Sequence, residues 1–244
     1  HENHSPVGAV KVRGGLVYLS RLKAEQPDLA GVITATTGNH GQSVGRAARM
    51  VGLAATIVVP KGNNPGKSAA MAAQGVDLIE QGDDFQSAKE FAEELAAARS
   101  LHMVPSFHPW LVQGVASYGL ELFEAQPDLD TVYVPIGLGS GICGVIAARD
   151  ALGLKTEIVG VVAEGAPCYA LSYAAGRVVA TNGVATIAEG LAVRQPNAQA
   201  LDIIRNGAVR IVTVSDDEIA IAMAAYFTDT HNLAEGAGAA TLAA

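Results

Sequence analysis

Three stretches of this sequence hold residue types at spacings that chemistry could use. Residues 8–15, Gly-Ala-Val-Lys-Val-Arg-Gly-Gly, set one amine, Lys11, among small and apolar neighbours. Apolar surroundings push a lysine pKa down, and a neutral amine can form a Schiff base with an aldehyde. A surface lysine on a helix fits the same residues. Residues 36–42, Thr-Thr-Gly-Asn-His-Gly-Gln, lie between a β-rich run and a helical one. Their backbone N–H groups and threonine hydroxyls could hold a carboxylate; an ordinary helix cap by Thr37 or Asn39 is the plainer alternative. Residues 137–141, Gly-Leu-Gly-Ser-Gly, repeat that arrangement with a tighter backbone. Outward N–H groups, the Ser140 hydroxyl and a helix start make a cradle for a phosphate. A simple strand-to-helix turn also fits, as does a dinucleotide site with Glu164 as its ribose acid. The spacing, however, is Gly-x-Gly-x-Gly, and no Lys-Ser or Lys-Thr of a Walker loop follows.

These stretches need elements to hold them. Strands are expected at Gly31–Thr36, Ala55–Val59, Asp77–Glu80, His102–Val104, Thr131–Ile136, Glu157–Val162 and Arg210–Val214. Helical patterns fall at about 39–51, 65–74, 84–99, 111–125, 141–153, 167–175, 197–206 and 216–229. Runs such as Thr56-Ile57-Val58-Val59 are apolar on both faces, which suits parallel strands covered by crossover helices. One doubly wound layer or two α/β units both fit. Ser215 before Asp216-Asp217-Glu218 reads as a helix cap with acids in the first turn. In such folds ligands sit where strand ends meet helix starts, and residues 36–40 and 137–141 are both so placed.

Composition narrows the function. Among 244 residues, half are hydrophobic and 16% are charged, which excludes a disordered chain. A net charge of -8 with no basic run argues against a nucleic-acid partner. No apolar stretch reaches the roughly 18 residues of a membrane span, and no signal peptide is visible. Two cysteines, Cys143 and Cys168, make no disulfide framework, so a cytoplasmic setting is expected. The chain starts without Met and stops inside an Ala-rich helical pattern, Gly238–Ala244, which reads as a fragment cut at both ends.

Taken together, the motifs resemble those of the fold-type II pyridoxal-phosphate enzymes. Residues 8–15 are similar to that family's Ser-Phe-Lys-x-Arg-Gly segment, and 36–42 to its Ser-Ser-Gly-Asn-His-Gly-Gln loop. Pro135–Gly141 resembles the glycine-rich phosphate loop, Glu189–Val193 the Asp-Gly-x-Ala-Val segment, and Glu235–Ala239 the Glu-Pro-Ser/Ala-Gly-Ala segment. Five motifs in the family's order span the chain. The nearest group is the threonine/serine dehydratases (ammonia-lyases), with serine racemase a near relative.

The resemblance implies two three-layer α/β domains with mainly parallel sheets, tryptophan synthase β-like, with the cofactor between them. The small domain would span 31–112, and the large cofactor-binding domain would combine 1–30 with 113–244. Lys11 would hold pyridoxal 5'-phosphate through a Schiff base and move the Cα proton. Asn39 would bond the ring 3'-oxygen. Gly137, Leu138, Gly139, Ser140 and Gly141 would hold the phosphate, and Glu235 would lie near the ring. Thr36, Thr37, Gly38 and His40 would form the substrate-carboxylate loop. The implied reaction is elimination from a 3-hydroxy amino acid such as L-threonine or L-serine, giving a 2-oxo acid and ammonia. The implied assembly is a homodimer or higher homo-oligomer.

The departures from the pattern carry their own expectations. Val10 replaces the usual Phe, which loosens the pocket beside the lysine. Thr37 stands where racemases carry a serine, which favours elimination. Glu164 is followed by Gly165-Ala166-Pro167-Cys168, too few acids for a hard cation, so no metal is expected. The partner of the pyridine nitrogen would lie beyond Ala244. His102 and His108 read as structural, Cys143 as core packing, and Glu90, Glu93 and Glu94 as a solvated helix face. Three alternatives stay open. A β-replacement enzyme of the same fold is separated by its products, and a racemase by chiral analysis. A non-catalytic phosphate-ligand-binding domain would show no cofactor chromophore.

Overall fold

The structure is a computed structural model and describes residues 2–244. It divides into two compact units, one ending at Gly114 and one running Val115–Ala244.

The first unit is built on a parallel sheet of β1 (Gly31–Ala35), β2 (Ala54–Val59), β3 (Asp77–Glu80) and β4 (His102–Met103), in the order β3-β2-β1-β4. Residues of β1 and β2 alternate between two cores, as a pleated strand covered on both faces must. Val32, Ile57 and Val59 face helices α1 (Lys11–Glu25), α2 (Asn39–Met50) and α3 (Pro65–Ala72) through Leu19, Val44, Ala47 and Met71. Ile33, Ala35 and Val58 face α4 (Phe85–Arg99) through Ala88, Ala92 and Ala96. The chain winds outward from β1 to β3, then returns to place β4 on the other side of β1. The winding therefore reverses beside β1, and a ligand is expected beyond its C-terminal end, at residues 36–40.

The second unit begins within helix α5 (Pro109–Ala125). Its sheet is β5 (Thr131–Pro135), β6 (Glu157–Ala163) and β7 (Arg210–Val214), parallel throughout and ordered β5-β6-β7. Helices α6 (Ser140–Ala151), α7 (Cys168–Ala175) and α8 (Ala198–Gly207) pack with one another and with this sheet. Val161, Ala163 and Val214 pack with Leu191, with Ile219 of α9 (Asp216–Thr230) and with Ala240 of α10 (Gly236–Ala243). Central β6 is buried from Ile158 to Ala163, which accounts for its unbroken apolar run.

All seven strands expected from the sequence are present, with no end moved by more than one residue. The helical patterns are present as well. Helix α1 was not anticipated. Gly14 and Gly15 weaken its pattern, since each glycine in a helix costs about 1 kcal/mol against alanine. They are there because backbones meet. A Cβ on Gly15 would collide with Ser43 of α2, and one on Gly114 would lie 2.7 Å from Gly14 Cα. His102 and His108 sit in an aromatic cluster with Tyr18 and Trp110, and Tyr18 Oη lies 2.8 Å from His102 Nε2. Cys143 is fully buried, and burial pushes its thiol up to about 12.

Candidate active site

Lys11 is the first residue of α1, whose start has no side-chain cap among the described residues. Ser43 Oγ donates a hydrogen bond to the Lys11 carbonyl oxygen, fastening this helix start to α2. Downstream, Arg13 reaches back to Glu2 in a two-pronged ion pair, at 3.0 Å to Oε2 and 2.9 Å to Oε1. The Ser5 hydroxyl accepts from the Ala9 amide at 3.0 Å. The segment carrying the lysine is thereby tied at three points.

The turn after β1 lies in the same unit. Thr36 is buried and its amide donates to the Val58 carbonyl at 3.0 Å. Its Oγ1 accepts from the Gly38 amide at 3.1 Å. Gly38 occupies the cap position of α2 with no side-chain cap bond among the described residues, so the plainer alternative, a cap by Thr37 or Asn39, is not what forms. Thr37 is exposed and Asn39 half-buried. The first amides of a helix have no acceptor within it, so this uncapped end offers N–H donors to a ligand. A Cβ on Gly38 would lie 2.8 Å from Lys67 Cδ, a neighbour the sequence motifs did not reveal.

His40, in the first turn of α2, is buried. Among the described residues its Nε2 is the buried side-chain polar atom left without a hydrogen-bond partner. Burial, with a smaller push from the Lys11 charge, lowers its pKa to about 3. His40 is therefore neutral at neutral pH. A buried imidazole nitrogen with no protein partner marks a position where another polar group fits.

In the second unit, β5 leads through Ile136 into the turn 137–141. Gly139 has φ +98°, and a Cβ there would lie 2.8 Å from Ala200 Cβ and 3.2 Å from Tyr169 Oη. A Cβ on Gly137 would strike the Gly190 carbonyl oxygen. The turn is held from outside: Tyr169 Oη donates to the Leu138 carbonyl at 2.9 Å and accepts from the Asn197 amide at 3.1 Å. Ser140 opens α6 and is buried, and no side chain caps that helix among the described residues. This is a cradle built by close backbone approach and left open to an anion.

Segments far apart in sequence converge on this turn. Glu189–Leu191 forms a 3-10 turn whose Gly190 touches Gly137. A Cβ on Gly190 would lie 2.7 Å from Ala237 Cβ and 3.8 Å from Glu235 Oε1. Glu235 precedes α10 and is exposed. The loop is latched by Asp216, which accepts from Thr186 Oγ1 at 2.6 Å and from the Ile187 amide at 3.0 Å. Sequence reasoning named 137–141, 189–193 and 235–239 but missed Tyr169, Asn197 and Asp216, which hold them. Glu164 is exposed. Among the described residues, no group of three or more His, Cys, Asp or Glu is placed to hold a metal ion. Nor is any helix among them long and apolar enough to cross a membrane.

The residues fit pyridoxal phosphate in its separate parts. The glycine cradle and the uncapped start of α6 suit its phosphate, Lys11 supplies an amine for its aldehyde, and the orphaned His40 nitrogen accommodates a polar group.

Comparisons with known proteins agree. The sequence profile of a family described as pyridoxal-phosphate dependent enzyme matches residues 1–244. The chain is 35% identical over 245 residues to an L-threonine ammonia-lyase of Geobacter sulfurreducens, covering all of this chain and 60% of that protein. It is 32% identical to an L-threonine ammonia-lyase of Thermotoga maritima, covering all of this chain and 61% of that protein. Among solved structures, threonine deaminase isoform 2 from Solanum lycopersicum superposes with a TM-score of 0.93 at 31% identity, over 99% of this chain and 71% of that one. Maize serine racemase superposes at 0.95 and 28% identity, over 100% and 74%. The chain thus spans about three fifths of the length of the two curated relatives.

Proposed function

We propose, from the premise that this chain belongs to the pyridoxal-phosphate dependent enzyme family, that the protein eliminates the hydroxyl and amino groups of a 3-hydroxy amino acid. L-Threonine or L-serine would give a 2-oxo acid and ammonia. The β-hydroxyl leaves as water, and a water re-enters as the nitrogen departs. The observation that carries this reading is the pairing inside one unit of the amine-bearing helix start with the turn after β1. Ser43 anchors Lys11, and the Lys11 charge reaches His40 in that turn.

When bound, pyridoxal phosphate supplies an electron sink for negative charge developing at the substrate Cα. The remaining work belongs to this chain. Lys11 would hold the cofactor at its aldehyde carbon and would act as general base at the substrate Cα proton; such a positioned base contributes about 10²–10⁴-fold. The Thr36–His40 turn takes the substrate carboxylate on its amides and the Thr37 hydroxyl, fixing the direction of the Cα–H bond. By the family resemblance Asn39 would bond the ring 3'-oxygen, and Glu235 would lie near the ring. Gly137, Leu138, Gly139, Ser140 and Gly141 would hold the phosphate. His40, kept neutral by burial, is too weak a base to take a proton in place of Lys11.

Domains at 31–112 and at 1–30 with 113–244, a homo-oligomeric assembly and a cytoplasmic setting complete the reading for the whole protein. The absorbance of the complete protein with pyridoxal phosphate, before and after L-threonine, tests it. A near-visible band that is absent in Lys11→Ala, and that changes as 2-oxobutanoate forms, is expected. No band would discard the reading, and a band indifferent to L-threonine would remove its substrate. Racemisation is the second reading, supported by the match to maize serine racemase. Chiral analysis of recovered serine separates the two.

A further inference from the structure

Tyr169 lies in the first turn of α7 and is buried. Its hydroxyl accepts from the Asn197 amide at 3.1 Å and gives its one proton to the Leu138 carbonyl, at 2.9 Å. Burial pushes its pKa up, so the phenol stays protonated and remains a donor. Asn197 is itself fixed, because its side chain caps α8 by accepting from the Ala200 amide at 3.0 Å. The peptide between Leu138 and Gly139 is trans, and in a planar trans peptide the C=O and N–H point in opposite directions. With the Leu138 carbonyl turned to Tyr169, the Gly139 N–H must point away from that ring. Gly139 is buried, and its amide donates to no group among the described residues. A buried N–H left in this way is costly unless a ligand supplies the acceptor. Gly139 sits at φ +98°, and glycine takes positive and negative φ about equally well. The backbone alone therefore permits this peptide to turn over, and the Tyr169 hydrogen bond selects one orientation.

We propose that Tyr169 is a positioning residue for the cofactor phosphate: by holding the Leu138 carbonyl it aims the Gly139 N–H at that phosphate. This rests on the reading of the 137–141 turn as the phosphate cradle. A hydrogen bond from an amide to an anionic oxygen is charge-assisted and about twice as strong as a neutral one. It is lost if the peptide turns over, whereas the aldehyde end of the cofactor has no share in it.

The test is an absorbance titration of the complete protein with pyridoxal 5'-phosphate and with pyridoxal, which lacks the phosphate. Tyr169→Phe keeps the ring and removes only the hydroxyl. It should weaken pyridoxal 5'-phosphate by about tenfold and pyridoxal by no more than about twofold. At saturating cofactor, the affinity for glycine, an amino acid with no hydroxyl to eliminate, should be unchanged. Equal weakening of both cofactor forms would make Tyr169 a packing residue and overturn the proposal, as would an undiminished preference for the phosphorylated form. If the parent protein already binds both forms equally, the phosphate reading of the turn falls, and the role of Tyr169 with it. Amide NMR of the unsubstituted protein with isotope-labelled glycine gives a second test that needs no variant. The Gly139 amide proton should move downfield when pyridoxal 5'-phosphate binds and far less with pyridoxal. A Gly139 amide indifferent to the phosphate overturns the proposal, whether or not Tyr169→Phe folds.

Discussion

The start of α9 and the start of α2 meet the same electrostatic problem in opposite ways. At α9, Ser215 and Glu218 form a reciprocal capping box, and Asp216 and Asp217 add negative charge to the first turn. Helices α3, α4 and α8 are likewise capped by Asn64, Asp84 and Asn197. At α2 the cap is Gly38, with no side-chain acceptor and no acid in the first turn. Helices α1, α6 and α10 begin in the same bare way, at Lys11, Ser140 and Gly236. The bare starts coincide with the motif residues, and the capped ones do not. Helix α7, behind Pro167, is uncapped as well, although it carries no motif. Amides that a protein leaves unsatisfied at a helix start are available to a ligand, and capped starts contribute to stability alone.

Substitutions that disturb a bare start should affect ligands, whereas those at a capped start should affect only stability. The largest effect is expected at Gly139. Valine there forces a side chain into φ +98° and into Ala200, so Gly139→Val should abolish saturable cofactor binding in an absorbance titration and lower the urea midpoint. Retained binding would mean that the cradle does not hold the cofactor.

His40 comes next. Its folded pKa, about 3, lies below its unfolded value near 6.5. Between these values the unfolded chain binds the extra proton, so the His40 contribution is intact above pH 6.5 and is lost as pH falls towards 3. Unfolding free energy should fall by about 1.4 kcal/mol per pH unit from this group over most of that window. His40→Gln should remove that slope, and an unaltered slope would show that His40 is not held neutral.

A smaller effect is expected from giving α2 a carboxylate of its own. Thr37→Asp should stabilise the ligand-free protein by about 0.3–1 kcal/mol and weaken glycine binding by about tenfold. Tighter glycine binding would contradict the anion reading. Smallest is Ser215→Ala, which should cost about 1 kcal/mol in urea unfolding and leave cofactor and glycine affinities unchanged. A loss of ligand affinity there would erase the distinction between the two kinds of start.

Legibility followed the range of the interaction. The seven strands were visible because burial on both faces makes continuous apolar runs, and the Ser215 cap because its partners lie within three residues. The turns at 36–40 and 137–141 were visible because close backbone approach leaves glycines at fixed local spacing. Helix α1 was hidden by Gly14 and Gly15, whose low helix propensity is overridden by packing against Ser43 and Gly114. The neighbours Lys67 and Gly38, Tyr169 and Leu138, and Asp216 and Thr186 lie about 30 residues apart in sequence and leave no shared pattern in it.

The sequence by itself determined the fold class, the order of the motifs and the family that they resemble, because hydrophobic periodicity and glycine spacing are local consequences of burial and backbone sterics. Only the tertiary structure decided which helix starts remain bare, that His40 is buried with an orphaned nitrogen, and that Lys67 rests on Gly38. Those properties depend on which side chain meets a given backbone group, and that is settled by packing between segments distant in the chain.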